Sequence, residues 1–169
     1  REDLGNRPPV ASLELLWTAH PGEHLLVSGF VHPPTEARAW EALKLADETD
    51  VLTVKGLEGS TDLPISRACV TARCLRNDQQ RQILHPRDHG CYGHDQLWEG
   101  LEVWSDQARA ALGGQGELAT ALLWNAGTYL WQAGCDESLE QGLEHAREVL
   151  NSGQALNQLG SVQAALAQR

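Results

Sequence analysis

The sequence predicts an α/β fold: a partial, mostly parallel sheet followed by a C-terminal layer of helices. Three observations predict it. Residues 24–31 (HLLVSGFV) and 50–55 (DVLTVK) are short apolar runs rich in β-branched residues, separated by a segment with helical spacing. A strand–helix–strand unit of about 30 residues implies parallel strands and a right-handed crossover. Residues 67–75 then alternate around Ala68, Val70, Ala72 and Cys74, and 81–84 return, which reads as an antiparallel hairpin on the sheet edge. From residue 96 onward the pattern is helical, punctuated by glycine.

Taken in order, residues 11–17 space apolar side chains as a short helix, and Pro21-Gly22 makes a turn. The run 24–31 has no polar alternation, as expected of a strand buried on both faces. After His32-Pro33-Pro34, Thr35 is the expected cap of a helix over 37–46 with Trp40 and Leu43 on one face. Asn77-Asp78 is the hairpin turn, and residues 85–95 (HPRDHGCYGHD) form an irregular loop. Helices are expected over 96–112, stopped by Gly113-Gly114, and over 117–133, which is apolar nearly all round and therefore buried. Asp136 is the expected cap of a helix over 138–151, with Leu139, Leu143, Ala146 and Leu150 as its stripe, and 154–168 forms the last helix.

At 169 residues the chain makes one domain-sized piece spanning 1–169. It contains no methionine and starts REDLGNRPP, so it reads as a fragment of a longer protein. A net charge of -10 disfavours nonspecific nucleic-acid binding, which needs clustered Lys and Arg. No apolar run is long enough for a membrane span and no signal peptide is seen. Four cysteines without C-x-x-C spacing read as reduced thiols of a cytoplasmic protein. Six tryptophans against one phenylalanine are expected as core or interface anchors.

The stretch richest in chemistry is 51–66, VLTVKGLEGSTDLPIS. A strand that breaks into a glycine-rich acidic loop is where open α/β sheets bind ligands. Ser60 and Thr61 can bond phosphate or sugar oxygens, and the carboxylates of Glu58 and Asp62 suit Mg²⁺. Lys55, at the strand end, is a substrate-binding candidate. The bland reading of the same loop is a solvated turn. His85, His89, Cys91, His94 and Asp95 have ligand chemistry for zinc, but no framing motif accompanies them, so an ordinary surface loop is expected. Arg67, Arg73, Arg76, Arg81 and Arg87 gather around the hairpin; they read either as a phosphate-binding face or, preferably, as charge guarding an edge strand.

One resemblance covers essentially the whole chain. Asn125, Ala126, Leu130 and Gly134, then Ser138, Leu139, Gly142, Ala146, Leu150, Ser152, Gly153 and Ala155, resemble a pattern of the anthranilate phosphoribosyltransferase family (glycosyltransferase family 3). There it runs N-A-x-x-x-L-x-x-x-G, then S-L-x-E-G-x-x-x-A-x-x-x-L-x-S-G-x-A, with Gln141 here in place of Glu. Arg1, Leu4, Gly5 and Arg7 resemble the family's R-x-x-L-G-x-R, SGFVHPP its following strand and turn, and HPRDHG its P-E-D-F-G loop.

The resemblance implies the C-terminal half of that family's α/β domain, of the nucleoside phosphorylase/phosphoribosyltransferase type. It implies transfer of phosphoribosyl from phosphoribosyl pyrophosphate to an aromatic amine in tryptophan biosynthesis, with Mg²⁺ on the pyrophosphate. It places Arg1 where the family binds the carboxylate of anthranilate. The sequence departs from the family at residues 56–66: the family's G-x-D-G-L-D-E-I-S run is here two residues longer, and the adjacent acid pair is replaced by the separated Glu58 and Asp62. A branch of the family carries altered acidic loops, so the alternative is a catalytically altered member that binds nucleic acid or another anionic ligand. The apolar helix over 117–133 favours a homodimer in either case.

Overall fold

The computed structural model describes residues 15–75 and 78–168. These fall into two compact units: the residues up to Leu63 with Cys69–Leu84, and Pro64–Ala68 with the residues from His85 on.

The first unit is a four-stranded sheet in sequence order: β1 (Leu26–Gly29), β2 (Asp50–Val54), β3 (Cys69–Leu75) and β4 (Asp78–Leu84). Helix α1 (Pro33–Leu45) connects β1 to β2, which pair in parallel as the strand–helix–strand pattern requires. β2 with β3 and β3 with β4 pair antiparallel, so the expected hairpin forms and two of the three described pairings are antiparallel. The sheet is accordingly mixed, and the α/β class holds. β4 is longer than its apolar residues suggested, because Asp78, Gln79 and Gln80 keep the ladder to Leu75, Cys74 and Arg73 although they face solvent.

α1 starts three residues earlier than Thr35 would place it, with His32 as cap and prolines at its first two positions. Proline needs no helical partner for its missing N–H there, and its φ already suits the helix. Leu43 of α1, 1% exposed, packs with Leu26 and Val51, and Trp40 and Leu16 lean on that cluster. Burying such a leucine contributes about 1.5–3 kcal/mol.

The same face of the sheet carries a row of residues in register: Ser28, Thr53, Ala72 and Arg81. Glu36, in the first turn of α1 and only 2% exposed, sits over this row. The Thr53 hydroxyl donates to its Oε1 at 2.8 Å and Arg81 to its Oε2 at 2.6 Å. Ala72 lies between these two donors in the row and is fully buried, so a larger side chain there would fill the space the carboxylate uses. On the other face, Arg73 makes a bidentate pair with Asp50 at 2.7 and 2.8 Å.

The second unit holds α2 (Leu101–Leu112), α3 (Ala119–Gln132), α4 (Leu139–Asn151) and α5 (Gln154–Ala167). α2 is shorter than expected: residues 96–100 are irregular, and Gly100 at φ 108° stands outside the helix. α3 is less buried than its apolar composition suggested, with only Trp124, Gly127, Thr128 and Gln132 buried. α3 and α4 cross at glycines. A Cβ on Gly142 would lie 2.3 Å from the Gly127 carbonyl oxygen, and one on Gly127 2.7 Å from Leu143 Cα. The cap of α4 is Ser138, whose hydroxyl accepts the Gln141 N–H at 3.3 Å; Asp136, expected there, instead faces His145 at 3.1 Å. Leu139, Leu143, Ala146 and Leu150 are buried as a stripe. Residues 11–14 of the expected first helix lie outside the described residues, and Leu15 and Leu16 form a turn and bend.

Arg81→Ala strands a buried carboxylate, whereas Glu36→Gln leaves Arg81, half exposed, free to turn to water. In urea denaturation Arg81→Ala should therefore cost about 3 kcal/mol or more, and Glu36→Gln about 1–2 kcal/mol. Equal losses would show that Arg81 does not carry the Glu36 charge.

Before β1, His24 has Nδ1 2.7 Å from the Gly22 carbonyl oxygen and Nε2 3.0 Å from the Glu48 carboxylate. Both neighbours favour a proton, so the Gly22 carbonyl first, then Glu48, hold its pKa above the ordinary 6.5. A raised folded pKa means the contribution is present below the unfolded pKa and is lost as pH rises through the folded one. An NMR titration should find the His24 midpoint above 6.5, and Glu48→Gln should lower it without abolishing the elevation.

Candidate functional site

The candidate loop begins where β2 ends. The Lys55 N–H still donates to the Val70 carbonyl at 2.9 Å, and its carbonyl accepts the Cys69 thiol at 3.4 Å, so its backbone is held while its side chain is exposed. The chain then turns through a 3₁₀ segment, Leu57–Gly59. The Leu57 N–H donates to the Asp62 carbonyl at 2.9 Å and closes the base of the loop, and the Ser60 N–H donates to the Leu57 carbonyl at 2.8 Å. Glu58 takes a left-handed conformation (φ 51°) at the tip. Ser60 braces Asp62: its hydroxyl accepts the Asp62 N–H at 3.1 Å and lies 3.3 Å from Oδ2.

The loop folds back over the end of β1. A Cβ on Gly29 would lie 2.3 Å from both the Gly59 and the Ser60 carbonyl oxygens. The loop is thus pressed against the carboxyl ends of the two parallel strands, the place where open α/β sheets bind ligands. Lys55, Glu58 and Asp62 all belong to this one loop and all three are exposed. Arg1 lies outside the described residues. The carboxylates of Glu58 and Asp62 have the hard-oxygen chemistry Mg²⁺ takes, and one or two protein carboxylates suffice where substrate phosphates complete the shell. Among the described residues, no group of three or more His, Cys, Asp or Glu side chains is arranged to hold a metal ion, in this loop or in residues 85–95.

The N-terminus of α1 also emerges at the end of β1, but it offers no amides for a phosphate. Pro33 and Pro34 have no N–H, and Thr35 donates to the His32 carbonyl at 2.9 Å.

The arginines grouped in the sequence are divided by the structure. Arg73 is taken by Asp50 and Arg81 by Glu36, while Arg67 stands 3.5 Å from Asp95 and Arg87 lies over the Tyr92 ring at 4.3 Å. Arg76 lies outside the described residues. Asp95 organises its own surroundings: it accepts the Ile65 N–H at 3.0 Å and the Ser66 hydroxyl. Asn125 donates to the Ala121 carbonyl at 2.9 Å, a backbone role within α3. The Glu36 carboxylate was not singled out from sequence, because an acid in a first helical turn has an ordinary explanation in the helix dipole.

Two more groups are shifted by their setting. Burial pushes the Cys91 thiol up, with Arg147 opposing. The carboxyl of Glu140 is held down by its own backbone N–H at the start of α4, then by Ser138.

Comparison with known proteins follows the same outline. No family model matches the chain. This chain resembles anthranilate phosphoribosyltransferases in sequence and in fold. It is 29% identical over 163 residues to the anthranilate phosphoribosyltransferase of Chromobacterium violaceum, covering 94% of this chain and 47% of that protein. It is 27% identical over 137 residues to that of Leptothrix cholodnii, covering 79% and 40%. The crystal structure of anthranilate phosphoribosyltransferase from Thermus thermophilus aligns with a TM-score of 0.62 at 29% identity, over 79% of this chain and 40% of that one. The enzyme from Saccharomyces cerevisiae, in complex with 4-fluoroanthranilate, aligns with a TM-score of 0.75 at 14% identity, over 86% and 44%, a likeness of fold. The chain spans about half the length of the curated relatives it matches. No helix among the described residues is long and apolar enough to cross a membrane.

The thiols should separate by setting. Cys135 is exposed, whereas Cys69 and Cys91 are buried. In a timed alkylation followed by peptide mass spectrometry, Cys135 should label first, and Cys69 and Cys91 only once the protein is unfolded. Early labelling of Cys91 in native protein would contradict its placement.

Proposed function

We propose that this chain is the C-terminal part of the α/β domain of an anthranilate phosphoribosyltransferase-like glycosyltransferase. Such an enzyme transfers phosphoribosyl from phosphoribosyl pyrophosphate to an aromatic amine in tryptophan biosynthesis. One observation supports this above the others: the acidic loop lies over the carboxyl ends of the parallel strands, in a chain similar over 94% of its length to curated members. Glu58 and Asp62 would hold Mg²⁺, which neutralises the pyrophosphate leaving group when bound. A related yeast variant has been solved with Mg bound. Lys55, exposed at the loop base, would face substrate phosphate, and Arg1 would receive the carboxylate of the acceptor, as a planar fork of donors suits.

A cytoplasmic setting and association with a second copy belong to the same proposal. The exposed Leu97, Trp98 and Leu101 support association, since such residues gain from being covered. The nucleic-acid alternative is weaker, because Arg73 and Arg81, two of the arginines it needs, are bound to the carboxylates of Asp50 and Glu36.

Full-length protein should consume anthranilate in a fluorescence assay with phosphoribosyl pyrophosphate and Mg²⁺. Glu58→Gln and Asp62→Asn should each lower kcat/KM by at least on the order of 10-fold and raise the Mg²⁺ concentration needed. Absence of product at high enzyme concentration would end the reaction assignment and leave the fold.

A further inference from the structure

The second unit contains a concavity of about 270 Å³ that the reading above does not use. Its wall includes Ser66, Arg67, His85, Arg87, Asp88 and Tyr92, all from Pro64–Ala68 and the loop that follows β4. We propose that it is a binding site for a small hydroxylated phosphomonoester.

Three features carry this. Arg87 rests its guanidinium face on Tyr92 at 4.3 Å and has no carboxylate within ion-pair distance among the described residues. Stacking by the face leaves its N–H edge free for an oxyanion. Arg67 is more than half exposed and reaches Asp95 through one nitrogen at 3.5 Å, so its other donors are available. These two guanidiniums, with the imidazole of His85, line one concavity in a chain whose net charge is -10. The volume lies just below the range of pockets for drug-sized ligands, which limits the occupant to a small molecule. The third feature is Asp88 on the same wall. A carboxylate repels a bare multiply charged anion but accepts a hydrogen bond from a hydroxyl. Its presence therefore selects an anion that carries a hydroxyl a few bonds from its phosphate.

The test is calorimetric titration of the full-length protein at constant ionic strength, without Mg²⁺, using glycerol 3-phosphate, inorganic phosphate and glycerol. Glycerol 3-phosphate should bind, inorganic phosphate more weakly, and glycerol not at all. Arg87→Gln should weaken glycerol 3-phosphate about 10-fold or more, and Arg67→Gln should weaken it less. Asp88→Asn should tighten inorganic phosphate and narrow the gap between the two anions. Both arginines are exposed, and circular dichroism checks that the variants are folded. No heat above that of matched chloride, or the same affinity in Arg87→Gln, would overturn the site. The experiment involves neither Mg²⁺ nor transfer chemistry, so its outcome is independent of the transferase assay.

Discussion

Glu36 places a carboxylate against the sheet with 2% of its surface exposed, and the first unit is arranged around satisfying it. Moving such a group out of water costs several kcal/mol unless its oxygens find donors. Here one oxygen takes the Thr53 hydroxyl and the other takes Arg81, whose remaining surface stays hydrated. The donors come from β2 and β4, so the arrangement requires β3 to present a small residue between them, and Ala72 does so. A slip of one residue in either antiparallel pairing would turn Thr53, Ala72 or Arg81 to the opposite face and leave the carboxylate unpaired. One buried charge thereby constrains three strands and the start of α1. It also bears on the candidate loop, since that loop lies between the end of β2 and the Gly29 end of β1, the two strands α1 connects.

Much of this was legible from local pattern. Continuous apolar runs at 24–31 and 50–55 marked strands, and the helical stretch between them required parallel pairing, which is observed. The hairpin was legible in the alternation of residues 67–75. The errors lay where backbone geometry overrides side-chain preference. Thr35 looks like a cap, but two prolines before it already have helical φ, so the helix begins at Pro33. Asp136 and Ser138 are both good caps, and only Ser138 is placed to accept the Gln141 N–H. Residues 96–100 contain apolar positions at helical spacing, yet Gly100 takes a backbone conformation that no helix continues through.

The most specific part of the family-like pattern is structural in this chain. Gly142 permits the approach of α4 to the Gly127 carbonyl, Ser138 caps α4, Asn125 bonds within α3, and Leu139, Ala146 and Leu150 fill the stripe beneath α4. A glycine at a helix crossing cannot be replaced without moving the helices, so it marks the fold more firmly than it marks the reaction.

The proposed reaction rests on the loop after β2, and there sequence and structure separate two questions. Position is settled by backbone contacts: Gly29 admits the Gly59 and Ser60 carbonyls, and the Leu57–Asp62 bond closes the turn. None of these contacts depends on the acidic side chains. The loop can therefore change length and redistribute its carboxylates while the backbone stays at the ends of β1 and β2. On the proposed function, this is how the chain would keep the place of a metal-bearing loop while carrying Glu58 and Asp62 apart instead of adjacent. The separation has a chemical consequence. Adjacent acids on a turn present a fixed pair of oxygens, whereas Glu58 stands at the tip in a left-handed conformation and Asp62 is tied to Ser60 at the base. Holding one Mg²⁺ between them requires Glu58 to give up side-chain freedom. Under the proposed function, Mg²⁺ at this loop would lean more on substrate phosphate than on the protein, which would tie metal occupancy to substrate occupancy.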